Sequence, residues 1–339
     1  MAERIAVIGA GSWGTALAKL LAEKGGDVLI WAHEPEVAQG INREFKNPYF
    51  LPEIGLPKGL CATDRLQDAV EGSKIVVSAV PSHFVRKVWL ELSEALPADA
   101  VVVSCTKGIE VESLKLMSQV LAECLLNHPA NNRVVLSGPS FAREVAMGLP
   151  TSVVVAGSDA GVAARVQELF RTDTFLTFTG DDVIGVEVGG AVKNVIAIAA
   201  GLSDGLGLGH NTRAAIITRG LYEMIKIGKA LGASPITFSG LSGIGDLVLT
   251  CTAHLSRNYT LGFEVGRGKR ADEIKKGMRM AIEGLPTTEA VHRLAARHGI
   301  NVPICDAMYR ILFEGLAPRK AAEELCNMPL AVELGALLG

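Results

Sequence analysis

The chain has 339 residues, 49% hydrophobic and 20% charged, so it is long enough for two domains and too apolar to be disordered. Its 33 basic and 36 acidic residues give a formal net charge of -3, which disfavours a general nucleic-acid or anionic-membrane surface but leaves room for a local anion pocket. The six cysteines show no C-x-x-C spacing, so we expect them to be reduced, mostly buried thiols of a cytoplasmic protein: Cys61, Cys105, Cys124, Cys251, Cys305 and Cys326.

Short β-branched runs alternate with helical patterns over the first 180 residues. Strands are predicted at residues 5–8, 28–31, 75–79, 101–104, 134–136, 152–156 and 175–178. Helices are predicted between them at residues 12–24, 82–95, 114–126 and 160–170. Nearly continuous apolar strands that alternate with helices indicate an α/β domain over residues 1–180, with a Rossmann-like, doubly wound, mostly parallel sheet covered on both faces.

The strand pattern stops near residue 181, and helical patterns follow. They predict helices at residues 183–202, 213–231, 257–267, 287–298, 304–314 and 318–326. We therefore expect residues 181–339 to form an all-α C-terminal domain that carries substrate-binding and catalytic residues. No low-complexity linker separates the two parts, which predicts an extensive and fixed interface between them.

The apolar segments predict neither a signal peptide nor a membrane span. The first apolar run, residues 5–8, is short and is interrupted by glycines. The longest apolar stretch, residues 183–202, contains Glu187 and Lys193, whose charges would be costly inside a bilayer. A buried helix of a soluble domain is expected there instead.

The sequence G-A-G-S-W-G at residues 9–14 matches the dinucleotide-binding fingerprint G-x-G-x-x-G. It follows the first predicted strand and opens the first predicted helix, which is the context that gives this short motif its meaning. Gly9 would permit the tight turn, Gly11 would let the backbone approach a pyrophosphate, and Gly14 would let helix and strand pack closely. The pyrophosphate would lie at the positive end of the helix dipole, so the segment predicts nucleotide binding.

The choice of nucleotide depends on the end of the second predicted strand. An NAD-selective site usually places Asp or Glu there to hold the ribose 2′-hydroxyl. This strand ends Trp31-Ala32-His33, and the first carboxylate, Glu34, comes later. A carboxylate would repel a 2′-phosphate, whereas His33 can hydrogen-bond one, so NADP, or both NADP and NAD, is favoured. The alternative is that His33 only faces solvent.

Three further segments carry polar residues that suit a ligand site. T-K-G at residues 106–108 and S-G-P-S-F-A at residues 137–142 each follow a predicted strand at its carboxyl end, where open α/β sheets bind ligands. G-G-A-V-K-N at residues 189–194 places Lys193 and Asn194 in an otherwise apolar helix. A buried ammonium must snorkel, pair or face a cavity, and for Lys193 alone snorkelling is the simplest interpretation.

Together, these motifs resemble those of one enzyme family. In order between Arg4 and Pro318 the chain contains G-A-G-S-W-G, T-K-G, S-G-P-S-F-A, G-G-A-V-K-N, G-D-L-V-L-T and S-R-N. This order is similar to that of the NAD(P)-dependent sn-glycerol-3-phosphate dehydrogenases of the bacterial, single-polypeptide, soluble type. Small departures occur at Ser140, where relatives also have threonine, and at Trp13, where they have other aromatic residues.

The resemblance implies a fold and an activity. The fold is of the 6-phosphogluconate-dehydrogenase type, a Rossmann-like domain followed by an all-α domain. The activity is hydride transfer between NADPH or NADH and C2 of dihydroxyacetone phosphate. Its product, sn-glycerol 3-phosphate, enters glycerophospholipid synthesis. A homodimer is an expectation at the level of the family.

The resemblance also implies roles for single residues. Lys193 corresponds to the general acid/base, with Lys107 and Asn194 beside the reacting oxygen. Asp246 corresponds to a substrate-site carboxylate that acts in catalysis. Further substrate contacts, the last three of them around the phosphate, are implied for Gly138, Ser140, Ser256, Arg257 and Asn258. Cofactor contacts are implied for Gly9, Gly11, Ser12, Trp13, Gly14, His33, Lys107, Ala142, Arg257, Ala281 and Glu283.

The chemistry of these residue types agrees with the resemblance. Ketone reduction needs a donor for the developing alkoxide, and a lysine in a closed pocket can stabilise and protonate it. The pKa of Lys193 would have to fall from about 10.4 toward roughly 7–8 through desolvation and a second cation. Lys107 would be that cation, and Asp246 the balancing charge. Arg257 suits a phosphate because its guanidinium is permanently charged and bidentate.

Other chemistries fit the sequence less well. The seven histidines show no ligand spacing, so no metal site is predicted, and residues 137–138 are not part of a hydrolase G-x-S-x-G elbow. The glycine-rich residues 205–209 follow no predicted strand, which favours a loop between helices over a phosphate loop.

Two alternative functions stay open at this point. Dehydrogenases of the 6-phosphogluconate and β-hydroxyacid types, and ketopantoate reductases, share the domain arrangement, and the K-N pair alone does not exclude them. The S-R-N and G-D-L segments favour glycerol-3-phosphate dehydrogenase over these enzymes. A regulatory module that binds NAD(P) without turnover is the other alternative, but it would need neither the two lysines nor a substrate-phosphate arginine.

Overall fold

The computed structural model describes residues 3–277 and 280–328. Residues 3–180, here called the sheet region, contain strands β1 Arg4–Ile8, β2 Asp27–Trp31, β3 Lys46–Asn47, β4 Leu51–Gly55, β5 Leu60–Thr63, β6 Ile75–Ser78, β7 Val101–Ser104, β8 Arg133–Ser137, β9 Thr151–Gly157 and β10 Phe175–Gly180. Its α-helices are α1 Ser12–Glu23, α2 Pro35–Glu44, α3 Leu66–Val70, α4 Val85–Leu92, α5 Met117–Cys124, α6 Ala142–Ala146 and α7 Ala160–Phe170. Short 3₁₀ helices span Ser82–Phe84 and Ala130–Asn132.

The remaining described residues, from 181 onward, are called the helical region. Its α-helices are α8 Val183–Gly205, α9 Gly209–Ala230, α10 Asp246–Thr252, α11 Arg257–Gly266, α12 Ala271–Lys276, α13 Gly284–His298, α14 Pro303–Phe313 and α15 Pro318–Cys326. A 3₁₀ helix spans Pro235–Ser239, and a π-helical segment, Leu241–Gly245, leads into α10. The described part of this region contains no β-strand, as predicted.

Eight strands of the described chain form one sheet in the order β10-β9-β8-β7-β6-β1-β2-β5. The neighbours pair in parallel except β8 and β9, which are antiparallel, and this arrangement confirms the predicted doubly wound, mostly parallel sheet. Helices cover both faces, so strands such as β6 and β7 are buried at every residue. The chain reverses its winding direction between β1 and β6, and ligands bind such sheets in the crevice at this point.

The predicted strands are all found, with ends that differ by one or two residues. The prediction missed β5, a short edge strand, and the two-stranded antiparallel ribbon of β3 and β4, which contains Pro52. These strands have few of the β-branched and aromatic residues that make a strand recognisable in sequence. The helix predicted at residues 114–126 was placed too early: Leu114 has a positive φ of 60°, a backbone conformation that a helix does not contain, and α5 begins at Met117.

Helix α8 is the central element of the helical region. Every residue from Gly185 to Ser203 is buried. By length and composition alone α8 could cross a membrane, but 89% of its most apolar 18-residue window is buried inside the protein, in agreement with the prediction of a buried helix. The predicted loop between helices is found at residues 206–208, between α8 and α9, with positive φ at Gly207 and at Gly209, the first residue of α9.

Helix α11 crosses α8 at backbone contact. A Cβ atom on Gly262 would overlap the carbonyl oxygen of Ile198, and one on Gly201 would overlap that of Tyr259. Because glycine lets the two backbones approach this closely, the first residues of α11 lie beside the middle of α8. The predicted substrate residues 256–258 and 193–194 are thereby brought to one place.

Candidate active site

The crevice at the carboxyl ends of β1, β2 and β6 has the features of a phosphate cradle. Gly9 has a φ of 109° and donates its N–H to Trp31 O at 3.1 Å. A Cβ on Gly14 would overlap Gly9 O, whereas a Cβ on Gly11 would meet no described atom within 4 Å beyond Gly11 itself and its two chain neighbours. The N-cap of α1 is Gly11, which has no side chain that could cap the helix, so the N–H groups of the first turn are available to an anion. The cradle therefore fits the pyrophosphate of a dinucleotide.

Other predicted cofactor residues surround the start of α1. Ser12 Oγ donates to Phe50 O at 2.7 Å, and Met280 Sδ lies 3.1 Å from the same hydroxyl, so the helical region reaches over this helix end. Trp13 Nε1 is buried and has no hydrogen-bond partner among the described residues. Ala142 is the first residue of α6, which packs against α1.

The end of β2 is followed by an exposed histidine and has no carboxylate, as the sequence indicates. His33 is exposed just beyond Trp31, and the two rings meet edge to face with centroids 6.0 Å apart. Glu34 forms the N-cap position of α2 rather than the end of the strand. No carboxylate therefore stands in the described structure where an NAD-selective site would place one, which leaves His33 beside the expected ribose position.

Residues 281–283 line the crevice from the helical region. Glu283 accepts the backbone N–H of Ser82 at 3.0 Å and its hydroxyl at 2.5 Å. Burial raises the pKa of Glu283, although these hydrogen bonds oppose the rise. Arg257, which is exposed, donates from Nη1 to Ala281 O. The predicted cofactor residues Arg257, Ala281 and Glu283 are thus close together.

The catalytic candidates meet on one buried carboxylate. Lys193 Nζ lies 2.5 Å from Asp246 Oδ1, and Lys107 Nζ lies 2.7 Å from Asp246 Oδ2. The Asp246 side chain is only 1% exposed, and those of Lys193 and Lys107 are 8% and 17% exposed. Lys107 follows β7, Lys193 is in α8 and Asp246 begins α10, so three elements from both regions build the centre.

The electrostatics of this centre favour one ionised carboxylate and one labile ammonium. Burial lowers the pKa of Lys193 to about 8, and nearby Lys107 lowers it further while Asp246 opposes the shift. The direction of this pKa shift and the value of about 8 agree with the expectation from the sequence. Burial would raise the pKa of Asp246, but the two ammonium groups and their hydrogen bonds outweigh it and hold that pKa below its usual range. The centre therefore carries one net positive charge when both lysines are protonated.

Thr250 completes the centre and was missed by the sequence analysis. Its Oγ1 accepts a hydrogen bond from Lys193 Nζ at 2.8 Å and donates to Asp246 O at 2.6 Å. A signal was available, since Thr250 follows Asp246 by four residues and such residues share one face of a helix. Ser82, the partner of Glu283, was also missed, because nothing in its local sequence indicates a contact 201 residues away.

A second set of hydrogen bonds connects the centre to α11. Asn258 donates from Nδ2 to Asn194 Oδ1 at 2.8 Å, and its Oδ1 accepts the N–H of Gly284 at 3.0 Å. Ser256 is the N-cap of α11, since its hydroxyl accepts the N–H of Tyr259. Ser256, Arg257 and Asn258 therefore lie at the positive end of a ten-residue helix, next to the residue that follows Lys193.

The backbone after β8 forms the remaining wall. Gly138 has a φ of 144°, and its carbonyl oxygen accepts hydrogen bonds from Lys107 Nζ at 3.0 Å and Ser140 Oγ at 2.9 Å. The structure thus brings the predicted substrate residues together around the lysine pair, and the predicted cofactor residues line the adjoining crevice. In the described part of the chain no group of three or more His, Cys, Asp or Glu residues could hold a metal ion, and all six cysteines are free.

Comparisons with known proteins show which family the chain is similar to. Residues 4–163 match the family model of the NAD-dependent glycerol-3-phosphate dehydrogenase N-terminus, and residues 182–323 match that of its C-terminus. The chain is 51% identical over 333 residues to glycerol-3-phosphate dehydrogenase [NAD(P)+] of Geobacter sp. strain M21, covering 98% of this chain and 99% of that protein.

Solved structures give the same result. The crystal structure of glycerol-3-phosphate dehydrogenase from Coxiella burnetii superposes with a TM-score of 0.92 at 40% identity, covering 96% of this chain and 99% of that one. A ketopantoate reductase of Ralstonia eutropha shares only the fold, with a TM-score of 0.61 at 19% identity over 94% of this chain and 99% of that one.

The Asp246→Asn substitution is expected to lower the pKa of Lys193 below about 8, because it removes the carboxylate that opposes the effects of burial and of Lys107. Competitive labelling of amines at several pH values, followed by mass spectrometry, measures this pKa in both proteins. The exposed Lys46 of β3 is the internal control and should label identically. A pKa of Lys193 that stays the same or rises in the variant would contradict the role assigned to Asp246.

Proposed function

The chain belongs to the NAD-dependent glycerol-3-phosphate dehydrogenase family, and from this premise we propose that Lys193, Lys107 and Asp246 are its catalytic residues. The protein is an NAD(P)-dependent oxidoreductase that interconverts dihydroxyacetone phosphate and sn-glycerol 3-phosphate, a precursor of glycerophospholipids. The observation that carries the assignment of residues is the buried carboxylate shared by two lysines next to the dinucleotide crevice. When bound, the nicotinamide nucleotide supplies or accepts the hydride at C2 of the substrate.

Lys193 moves the proton at the oxygen on C2. A pKa of about 8 leaves a large fraction of Lys193 protonated at neutral pH, so it can donate a proton to the developing alkoxide. The same value lets the neutral amine take the proton back in the reverse reaction. Asp246 and Thr250 hold the ammonium in place through contacts of 2.5 and 2.8 Å. Lys107 adds a second positive charge that stabilises the alkoxide before the proton arrives.

The first residues of α11 bind the substrate phosphate. Ser256 takes up the N–H of Tyr259, but the other N–H groups of the first turn and the positive dipole end of this helix favour an anion, and Arg257 supplies a permanently charged fork. The hydrogen bond from Asn258 to Asn194 keeps this helix end beside Lys193, so one substrate can reach both groups. Gly138 and Ser140 close the opposite wall through the carbonyl oxygen that Lys107 contacts.

The two regions have different proposed functions. We propose residues 1–180 as the dinucleotide-binding domain and residues 181–339 as the substrate and catalytic domain. The fingerprint glycines lie in the first part, and Lys193, Asp246 and Arg257 lie in the second. Free cysteines suit a reducing cytoplasm. We infer a homodimer from the family resemblance, and sedimentation equilibrium, which measures the molar mass directly, tests it.

The Lys193→Ala substitution tests the proposed chemistry. It should leave the fold and nucleotide binding intact while lowering kcat for dihydroxyacetone phosphate by the ~10²–10⁴-fold typical of a lost acid/base group. Loss of absorbance at 340 nm measures kcat, and titration calorimetry with NADPH checks nucleotide binding. If the variant keeps a near-normal kcat, Lys193 is a structural lysine and Lys107 becomes the candidate donor.

Arg257→Ala tests the phosphate site. A charge-assisted contact to phosphate contributes about 1.5–3 kcal/mol, so wild type should reduce dihydroxyacetone phosphate far better than dihydroxyacetone. The variant should narrow this gap by weakening the reaction of the phosphorylated substrate, and Arg257→Lys should restore it only partly. The measurement is the ratio of the two kcat/KM values in each protein. An unchanged ratio in Arg257→Ala, with equal losses for both substrates, would assign Arg257 to the nucleotide alone.

Nucleotide choice is expected to be relaxed, with NADPH used at least as well as NADH, because no carboxylate ends β2. His33→Asp should shift the ratio of kcat/KM values toward NADH by adding a group that repels a 2′-phosphate. His33→Asn is the neutral control and should not produce this shift. A wild-type preference for NADH above about a hundredfold, or about 2.7 kcal/mol, would contradict the argument from the strand end.

A further inference from the structure

Glu187 makes a buried polar contact between the two regions that the proposed chemistry does not use. It lies in the second turn of α8 and is 7% exposed. Its carboxylate accepts the backbone N–H of Ser118 at 2.8 Å and the Ser118 hydroxyl at 2.5 Å. Ser118 is the second residue of α5 in the sheet region. One glutamate therefore attaches the start of α8 to the sheet region through two directional hydrogen bonds.

The same geometry recurs at a second contact between the two regions. Glu283 of the helical region also accepts the N–H and hydroxyl of one serine, Ser82 of the sheet region. Glu223 is a useful contrast, because it is 2% exposed and accepts two backbone N–H groups, of Ile304 and Cys305, within the helical region. The three glutamates thus share burial and hydrogen-bonding chemistry, but only Glu187 and Glu283 join the regions.

Glu187 lies on the face of α8 that meets the lysine of the sheet region. At 3.6 residues per turn, Gly190 and Asn194 follow Glu187 on nearly the same face. A Cβ on Gly190 would lie 2.8 Å from Ser137 Oγ and 3.3 Å from Lys107 Cγ, so α8 packs closely on the Lys107 side chain there. Glu187, Gly190, Ser137 and Lys107 also line one small cavity of about 10 Å³. Loss of the Glu187 contact would let α8 move relative to Lys107.

Stability alone does not explain a glutamate at this position. Burial raises the pKa of Glu187 to about 7 against the effect of its hydrogen bonds, so ionising it inside the protein is costly. An apolar side chain would avoid this cost but could not accept two hydrogen bonds. The carboxylate therefore fixes a distance and a direction, which apolar packing does less well.

We infer that Glu187 is a positioning residue, which holds α8 against the sheet region so that Lys193 and Lys107 meet at Asp246. Lys193 is six residues, or about 9 Å, further along the same helix. A small displacement of α8 would therefore change the position of Lys193 and Asn194 relative to Lys107 and the nucleotide crevice. A misplacement of about 1 Å can cost on the order of 10²-fold in rate.

The test compares Glu187→Ala and Glu187→Gln with Glu223→Ala as the matched control, and it rests on the proposed function. Glutamine can accept the N–H of Ser118 with its carbonyl and donate to the Ser118 hydroxyl with its amide. The readouts are kcat and KM for dihydroxyacetone phosphate, Kd for NADPH, the kinetic isotope effect with 4-deuterated NADPH, and Tm.

Glu187→Ala should lower kcat about 10- to 100-fold, raise the isotope effect and leave Kd for NADPH within about twofold. Glu187→Gln should keep kcat within about threefold of wild type. Glu223→Ala should lower Tm but leave kcat within about twofold, because it joins no regions. Ser118→Ala removes only one of the two hydrogen bonds and should lower kcat by a few-fold. It replaces Glu187→Ala in the test if Glu187→Ala does not fold.

The inference is overturned if Glu187→Ala, or Ser118→Ala in its place, lowers Tm but keeps kcat as Glu223→Ala does. It is equally overturned if Glu187→Gln loses as much activity as Glu187→Ala, since the charge rather than the hydrogen-bond geometry would then matter. A wild-type protein without activity on dihydroxyacetone phosphate would instead contradict the proposed function, so the two failures are distinguishable.

Discussion

The whole site depends on one buried carboxylate shared by two ammonium groups from different regions. Asp246 and Lys193 come from the helical region, and Lys107 comes from the carboxyl end of β7. An unpaired charge in such a buried place is very costly, so neither region can complete this group alone. The charge of Asp246 is therefore fully compensated only when the two regions are docked. The two ammonium groups then leave one excess positive charge, which suits a substrate oxygen and a phosphate.

The labile proton of Lys193 in turn depends on close packing. Its pKa is about 8 chiefly because burial penalises the ammonium, and burial requires that α8 stay enclosed. At Gly201 and Gly262 the backbones of α8 and α11 are in contact, so α8 is enclosed closely on this side. A looser helix crossing would admit water, restore the solvation of the ammonium and raise the pKa toward its ordinary value. The chemistry of the site is thus set partly by residues that carry no chemistry themselves.

The sequence predicted the parts of the molecule whose causes are local. Buried strands, the 9–14 fingerprint and the apolar α8 all have a pattern of their own, and the structure confirms them. The edge strand β5 was missed because it is only four residues long and has one β-branched residue, Thr63. Helix α10 was missed because the glycines before it hide the helical period. The contacts of Ser82 with Glu283 and of Ser118 with Glu187 join distant residues, so no local pattern could reveal them.

The junction between the regions combines apolar and polar contacts, and these have different consequences. Apolar side chains such as Ile109, Leu116 and Val186 cross the junction and contribute attraction, but the hydrophobic effect has no direction and tolerates sliding. Hydrogen bonds and ion pairs fix both distance and angle. Transfer between two bound partners needs the reacting atoms within roughly 3–3.5 Å. A junction made only of apolar contacts could hold the regions together without holding this distance, and the buried polar contacts supply the precision that the reaction requires.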